Sequence, residues 1–167
     1  MIVRTPRLEL RSGSAQLADA DENDKARFGE LLHAHVPPEW PPESLRKHLP
    51  RYYDIVRLWP ASGWRFWYAI ARESSGNVLC GAMTFINPVG ISGIAETGYS
   101  LLPECQGRGL GTEMVMRLTA WVKRHGHVRV VLAQVHKRNT ASSRVLEKAG
   151  FQIIGRGSRP GALLYCH

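Results

Sequence analysis

Hydrophobic and polar residues follow different rhythms in the first third of the chain. Residues 7–11 alternate charged with apolar side chains, a pattern typical of a half-buried strand. Residues 19–35 begin with acidic side chains and then space apolar ones at near-helical intervals, which predicts a helix. The four prolines within residues 36–43 predict a stiff loop. Residues 43–58 then predict a second helix, with a break or kink at Pro50.

The middle of the chain predicts three neighbouring strands. Residues 64–72, 78–87 and 95–102 are rich in aromatic and β-branched side chains, which favour extended backbone. Segments rich in turn-forming residues separate them. Since strands that follow one another closely usually pair, we expect a three-stranded antiparallel meander.

In the second half the pattern changes to strand, glycine-rich loop, helix, strand and helix. Residues 112–125 predict a helix with an acidic side chain in its first turn and basic ones in its last, and Gly126 follows as a helix stop. Residues 128–135 predict a strand. The apolar side chains expected on the buried face of this helix are Met114, Val115, Leu118 and Val122.

Residues 139–149 predict a short helix that ends at Gly150, and further strands are expected at residues 151–154 and 162–166. A helix between two strands allows those strands to lie parallel in one sheet. The sequence therefore predicts an α/β (α+β) fold, in which a mixed and mostly antiparallel central sheet contains one parallel βαβ pair late in the chain.

Length and composition are typical of a globular protein. The chain has 167 residues, close to the usual size of one domain, so we expect residues 1–167 to form a single domain. Apolar residues make up 44% and charged residues 22%, and no apolar run approaches the roughly 18 residues of a membrane span. The first residues carry no apolar stretch long enough for a secretory signal. A cytoplasmic location without membrane association is therefore expected.

Charge and cysteine content narrow the classes of partner. The formal net charge of +8 favours polyanionic partners through long-range attraction. The chain shows no combined aromatic and basic signature of an RNA-binding module, so direct binding to nucleic acid is not expected. The three cysteines are odd in number and far apart, which matches neither a disulfide framework nor the spacing of zinc ligands. No metal site is expected.

The segment ECQGRGLGTE, residues 104–113, carries the clearest chemical signal. Gly107, Gly109 and Gly111 precede the predicted helix, and Pro103 ends the strand before them because proline has no N–H for a sheet. Free backbone N–H groups at a helix N-terminus, with the helix dipole behind them, form a site for a phosphate or pyrophosphate. Glycines would let such an anion approach the backbone closely.

Two well-known phosphate-binding loops do not match this segment. A Walker loop needs a lysine after its last glycine, whereas Thr112 and Glu113 follow Gly111 here. A dinucleotide-binding loop needs its last two glycines three residues apart and an acidic residue near the end of the next strand. Here the glycines are two residues apart, and the next strand ends at Val135 and His136. A different phosphate-bearing ligand is therefore expected.

Several motifs resemble the GNAT superfamily of acyl-CoA N-acyltransferases. Residues 106–111, Gln-Gly-Arg-Gly-Leu-Gly, resemble its Gln/Arg-x-x-Gly-x-Gly/Ala signature. Residues 139–151 look like its Asn-x-x-Ser…Leu-Glu-Lys-x-Gly-Phe pattern. Residues 96–104 and 5–11 are similar to the corresponding segments of the ribosomal-protein N-terminal acetyltransferase-like branch.

This resemblance implies that acetyl-CoA is a co-substrate, held without a metal. It implies a GNAT-like fold with helices on both faces of the sheet and two strands that splay apart around the pantetheine arm of coenzyme A. Leu101 and Leu102 would then bond this arm through their main chain, and Asn139 would contact it. The residues that the resemblance assigns to the pyrophosphate are Gln106, Gly107, Arg108, Gly109, Leu110, Gly111 and Thr112.

Two side chains are candidates for catalysis. Glu96 lies in a largely uncharged strand near the expected acetyl position, so it is the candidate general base, directly or through water. The alternative interpretation is that the Glu96 side chain points to solvent and has no catalytic role. Ser142 matches the serine of the family pattern, which implies that its hydroxyl contacts the cofactor or donates a proton to the leaving sulfur. The alternative is structural, because Asn139 and Ser142 also fit the N-terminus of a helix. Tyr99 is interpreted as core or cofactor wall.

The function expected from these residues is N-acetyl transfer from acetyl-CoA to a primary amine by direct attack, with a protein N-terminus as acceptor. The alternatives are a small amine acceptor, such as a polyamine, amino acid or antibiotic, and a non-catalytic acyl-CoA-binding sensor. Residues 28–67, where such enzymes shape the acceptor pocket, carry no readable motif. Trp40, Trp59, Trp64 and Trp67 are expected to divide between core and pocket. Many GNAT proteins dimerise, so a homodimer is compatible with the resemblance.

Overall fold

A mixed β-sheet forms the centre of the molecule in a computed structural model, which describes residues 1–86, 93–125 and 128–167. Its strands lie in the order β1-β2-β3-β4-β5-β6-β8-β7. Among these strands only the β5–β6 pair is parallel, which confirms the predicted sheet. The strands are β1 (Ile2–Arg4), β2 (Leu8–Ser12), β3 (Phe66–Glu73), β4 (Gly76–Ile86), β5 (Ile94–Leu101), β6 (Val130–His136), β7 (Gln152–Arg156) and β8 (Ala162–Cys166).

Helices cover both faces of this sheet. In β3 the side chains alternate, so that Trp67 and Ala69 face one core and Phe66 and Tyr68 face the other. The first core contains α5 and α6, and the second contains α1 to α4. No helix in the described ranges combines the length and the hydropathy that crossing a membrane requires. The helices are α1 (Ala15–Asn23), α2 (Lys25–Leu32), α3 (Glu43–Arg46), α4 (Leu49–Leu58), α5 (Leu110–His125) and α6 (Thr140–Lys148).

The prediction of one helix over residues 19–35 is wrong. The structure has two helices there, because Asp24 is extended and its side chain accepts a hydrogen bond from the Arg27 amide as the N-cap of α2. The first of them begins earlier than expected, at Ala15, where Ser14 is the N-cap. The second ends at Leu32, before the predicted boundary.

The break in the second predicted helix also lies elsewhere. Helix α3 ends at Arg46 and α4 begins at Leu49, so the break precedes Pro50. Pro50 lies in the first turn of α4, where a missing N–H costs no helical hydrogen bond. The first predicted central strand begins at Phe66 because residues Pro60–Arg65 form a 3-10 turn.

Other sequence-based expectations agree with the structure. Strands β3, β4 and β5 form the predicted antiparallel meander. The final strand has the predicted bounds, and the four apolar side chains expected on the inner face of α5 are all buried. Strand β1 was not predicted. The predicted strand end at Asn87, the turn that follows it and the helix stop at Gly126 lie outside the described residues.

A buried carboxylate joins the helices on the α1–α4 face. The side chain of Asp21 in α1 is fully buried and accepts hydrogen bonds from Trp40 Nε1 at 2.9 Å and from the Tyr53 hydroxyl at 2.6 Å. Lys25 forms an ion pair with the same carboxylate, and the Tyr68 hydroxyl lies 3.5 Å from it. Burial, together with this carboxylate, raises the pKa of Tyr53. Asp21 thus links α1 to α4 and to the proline-rich loop.

Candidate active site

The two parallel strands of the sheet separate partway along their length. Residues 94–97 of β5 pair with residues 130–133 of β6, and the ladder stops there. Strand β5 then continues to Leu101 beside β4, whereas β6 continues to His136 beside β8. A gap therefore opens inside the sheet, between the C-terminal halves of two strands that run in the same direction.

Main-chain groups of β5 face this gap. The Leu102 amide donates to the Cys80 carbonyl of β4 at 2.8 Å, and in an antiparallel ladder the bonded residues alternate. The N–H and C=O groups of Tyr99 and Leu101 therefore point away from β4, toward the gap. The Gln106 side chain agrees with this, because its Nε2 donates to the Leu101 carbonyl at 3.0 Å. Of the two leucines expected to contact a pantetheine arm, Leu101 lines the gap, whereas the Leu102 amide is already paired.

The glycine-rich loop runs from the end of β5 to the start of α5. Gly107 and Gly109 have φ angles of 72° and 79°, in the left-handed region that favours glycine. A Cβ on Gly107 would meet no atom within 4 Å, so the space beside it is open. Gly111 lies in the first turn of α5, where a Cβ would be 3.5 Å from Leu101 Cδ1 and Val145 Cγ2. Backbone conformation thus requires two of the glycines, and the third lies where two side chains pack closely.

The start of α5 presents amide groups that have no acceptor within the helix. The Glu113 amide donates to the Gly109 carbonyl at 3.1 Å, which begins the helical ladder. The amides of Leu110, Gly111 and Thr112 precede it in the first turn, where N–H groups have no helical partner. Together with the open space beside Gly107, these donors and the helix dipole fit a pyrophosphate.

Arg7, the residue before β2, forms hydrogen bonds with both α5 and the glycine-rich loop. Its backbone N–H and its Nε donate to the two carboxylate oxygens of Glu113 at 2.9 and 2.7 Å, and its Nη1 donates to the Arg108 carbonyl at 2.7 Å. The Arg108 guanidinium is bound to Glu73 at 2.7 Å, so its charge already has a partner. The sequence motifs indicate no role for Arg7, although residues 5–11 resemble the corresponding segment of the family.

The carboxylate of Glu113 gives this contact a pH dependence. Burial raises the pKa of Glu113, but hydrogen bonds from Thr5 and Arg7 outweigh burial and hold it below 4.5. Its stabilising contribution is therefore present above pH 4.5 and is lost as the pH falls through the lowered value. We expect Glu113→Gln to lower the free energy of unfolding by about 1 kcal/mol at pH 7, measured by urea denaturation.

The same denaturation series below pH 4.5 supplies the internal comparison. The difference between wild type and Glu113→Gln should shrink there, because the wild-type carboxyl becomes protonated. Glu39→Gln, at an exposed loop position, serves as the control and should leave stability unchanged at pH 7. A difference for Glu113→Gln that stays constant from pH 7 to pH 3 would contradict the assignment.

Glu96 is held in place on the opposite face of the sheet from α5 and α6. Gln134 Nε2 of β6 lies 3.2 Å from each of its two carboxylate oxygens. The Gln134 side-chain oxygen accepts in turn from the amide and hydroxyl of Ser158, at 2.7 and 2.9 Å. Glu96 pairs with β6 one residue before the ladder ends. Its side chain is half-buried and fixed at the mouth of the gap, and sequence patterns gave no signal for Gln134 or Ser158.

An open cavity of about 320 Å³ lies beside Glu96. Its walls come from α3, α4, β4, β5, Gln134 of β6 and the β7–β8 loop. The Ser44 and Ser100 hydroxyls are joined by a hydrogen bond of 2.8 Å across one side. Burial is the main cause that raises the pKa of Tyr52, whose side chain forms part of the wall.

The four tryptophans were expected to divide between core and pocket, and none of them is among the described residues that line the cavity beside Glu96. Trp40 and Trp67 are buried in the two cores, and Trp64 packs at the edge of one of them. Trp59 is 60% exposed. The described lining of the cavity beside Glu96 contains polar and charged side chains in their place.

Tyr99, Asn139 and Ser142 come together on the other side of the gap. The Asn139 side chain accepts from the Ser142 amide at 3.1 Å, so it is the N-cap of α6, the structural alternative considered for it. The Tyr99 hydroxyl donates to the Ser142 carbonyl at 2.9 Å. Burial raises the pKa of Tyr99, which keeps its phenol protonated at neutral pH. Ser142 is thus positioned at the first turn of α6, across the sheet from Glu96.

Comparison with known proteins agrees with this architecture. Residues 7–152 match the model of the acetyltransferase (GNAT) domain family. The chain is 23% identical over 152 residues to YjdG of Bacillus subtilis (strain 168), described as an uncharacterized N-acetyltransferase, which covers 90% of this chain and 89% of that protein.

Solved structures of other proteins share the fold over the whole chain, and two of them are ribosomal-protein acetyltransferases. One is RimL, the ribosomal L7/L12 alpha-N-protein acetyltransferase, in complex with coenzyme A, with a TM-score of 0.66, 19% identity and coverage of 100% of this chain and 97% of that one. The other is a ribosomal-protein-S5-alanine acetyltransferase from Vibrio fischeri, with a TM-score of 0.64, 16% identity and coverage of 100% and 96%. The resemblance inferred from the sequence motifs is confirmed: this chain belongs to the GNAT family of acetyltransferases.

Proposed function

We propose that the protein transfers an acetyl group from acetyl-CoA to a primary amine, with a protein N-terminus as the acceptor. The observation that carries this proposal is the gap between β5 and β6, which connects the glycine-rich loop on one face with the Glu96 cavity on the other. Acetyl-CoA supplies an activated thioester: a C–N bond forms at its carbonyl carbon, the C–S bond breaks, and the thiolate leaves to be protonated.

The donor site consists of main-chain groups. The first-turn amides of α5 and the open loop at Gly107 would hold the pyrophosphate. The Tyr99 and Leu101 main chain would bond the pantetheine arm in the gap, once the Gln106 side chain gives up its bond to Leu101. Positioning of this kind is a large part of catalysis in acyl transfer, because the reacting atoms must be aligned.

Glu96 would accept the proton that the attacking amine loses, directly or through one water molecule. Gln134 orients its carboxylate, and the cavity beside it leaves room for the amine. On the other face, the Ser142 hydroxyl would donate to the leaving sulfur. The Tyr99 phenol stays protonated and holds the start of α6 through the Ser142 carbonyl. These roles distinguish an enzyme from a non-catalytic acyl-CoA-binding module.

Release of free thiol from acetyl-CoA tests this function. The acceptor panel contains N-terminal peptides, polyamines, amino acids and an aminoglycoside, and mass spectrometry locates the acetyl group. We expect thiol release with the peptides, well above the rate without acceptor. Turnover with only the small amines would move the acceptor to that class. Tight binding of CoA without turnover on any amine would favour the sensor.

A substitution in the glycine-rich loop tests the donor site. Gly107→Ala should weaken CoA binding about tenfold, because an L-residue in left-handed conformation costs roughly 1–2 kcal/mol and the loop would change shape to relieve it. Isothermal titration calorimetry measures this. Gly76→Ala is a matched control, since Gly76 also has a positive φ, of 127°, and open space around its Cβ position but is the first residue of β4. Equal losses of CoA affinity in both variants would contradict the site.

A further inference from the structure

Basic side chains line the cavity beside Glu96 that would receive the amine. His48 is the residue before α4, Arg51 lies in the first turn of α4, and Arg159 lies in the β7–β8 loop. Glu96 is the single carboxylate among the described residues that line the cavity. Neither Arg51 nor Arg159 forms an ion pair with a carboxylate in the part of the chain that the structure describes.

A second cavity extends this basic surface away from Glu96. It has a volume of about 480 Å³ and lies along the β7–β8 loop. Its charged lining residues are Lys137, Arg156 and Arg159, with no carboxylate among the described residues of its wall. Arg159 borders both cavities, so the two lie next to each other on the surface. We call the basic part of their lining the basic acceptor surface, made of Arg51, Lys137, Arg156 and Arg159.

This charge arrangement selects among amines. A polyamine or an aminoglycoside would bring several positive charges to a surface that already carries positive charge, which is unfavourable. An amine followed by carboxylates would pair them with the arginines of the basic acceptor surface. The same cations would favour the neutral, nucleophilic form of the bound amine, since nearby positive charge lowers the pKa of an ammonium group.

We propose that the acceptor is a protein N-terminus followed by acidic side chains within its first few residues. The α-amine would enter the cavity beside Glu96, and the following Asp or Glu side chains would lie on the basic acceptor surface. The surface continues past the first cavity along the β7–β8 loop, which fits an extended peptide better than a single amino acid. This inference rests on the proposed function and names the substrate class of the same site.

The test compares peptides that differ only in charge after the first residue. Peptides beginning Ser-Asp-Glu-Asp, Ser-Asn-Gln-Asn and Ser-Lys-Lys-Lys, together with free glutamate, serve as acceptors. We expect kcat/KM for the acidic peptide to exceed that for the neutral one about tenfold at low salt, and the ratio to fall as ionic strength rises. The lysine peptide should be poorer than the neutral one.

Substitutions then assign the preference to residues. Arg159→Gln and Arg51→Gln should each reduce the ratio between acidic and neutral peptides at least threefold, mainly through KM for the acidic peptide. Arg117→Gln is the matched control, because Arg117 is exposed on α5, on the other face of the sheet. Equal kcat/KM for acidic and neutral peptides, or a preference for free glutamate over the peptides, would overturn the inference.

Binding without turnover separates this inference from the proposed function. Fluorescence anisotropy of the labelled acidic peptide, with CoA at saturating concentration, reports the acceptor surface alone. Tight binding of the acidic peptide that Arg159→Gln weakens, with no acetylation, would contradict the proposed function and support the charge preference. Acetylation of all peptides at similar rates would support the proposed function and contradict the charge preference. Displacement of the labelled peptide by a short RNA, but not by an excess of the same peptide without label, would also overturn the inference.

Discussion

Glu96→Gln is expected to lower kcat by about 10²–10⁴-fold, the range by which a positioned general base contributes to catalysis. Glutamine keeps the size of the side chain and its place beside Gln134, but it does not accept the proton of the attacking amine. The affinity for acetyl-CoA should stay within twofold of wild type, because the donor site lies across the gap. Rapid-quench single-turnover kinetics measures the chemical step, and calorimetry measures donor binding.

The control for this result is another acid on the same side of the molecule. Glu43 is in α3, and its side chain is 91% exposed outside the described lining of the cavity, so Glu43→Gln should leave kcat unchanged. Retention of at least a third of wild-type kcat in Glu96→Gln would remove Glu96 from the mechanism and leave positioning of the reactants in the gap as the main contribution.

Asp21→Ala is expected to reduce the free energy of unfolding by about 2–6 kcal/mol, because two buried donors lose their acceptor at a cost of about 1–3 kcal/mol each. The substitution leaves Trp40 Nε1 and the Tyr53 hydroxyl buried without an acceptor, and it removes the ion-pair partner of Lys25. Urea denaturation followed by tryptophan fluorescence measures the change. A loss this large is a substantial fraction of the stability of a typical domain.

Asp54→Ala is the control for this substitution. Its side chain is 70% exposed, so stability should change by less than about 0.5 kcal/mol. Because Asp21 joins α1 to α4, Asp21→Ala should also raise KM for the acceptor more than the affinity for CoA changes. A stability loss below 1 kcal/mol would show that water or rearranged neighbours replace the carboxylate.

The sequence predicts most of the fold where the signal is local. The buried face of α5 follows from side-chain periodicity within one helix, and β8 follows from the turn residues that precede it. The break between α1 and α2 depends on one capping side chain, Asp24, inside a run of acidic residues that also suits a helix start. Strand β1 has three residues and one buried side chain, too little for a periodic pattern.

The residues of the candidate site also divide into those that local sequence motifs predict and those that only the fold brings together. The loop at Gly107 and the cap at Asn139 are contiguous motifs, so they are visible in the sequence. The contact between Arg7 and Glu113 spans 106 positions of the chain, and the bond from Gln134 to Glu96 spans 38. Such partners are brought together by strand order and register, which periodicity does not encode. For the same reason the basic acceptor surface, assembled from separate elements, has no motif.

The divergence of β5 from β6 also has a thermodynamic consequence. Inside a continuous sheet, the main-chain groups of Tyr99 and Leu101 that have no partner in β6 behave like those of an exposed edge strand, and a ligand that bonds them takes the place of a missing strand. Binding free energy then becomes folding free energy, amounting to about 2.7 kcal/mol when the ligand is at a hundred times its dissociation constant. In a cell where acyl-CoA is abundant, the bound donor would thus stabilise the folded protein as well as serve as its substrate.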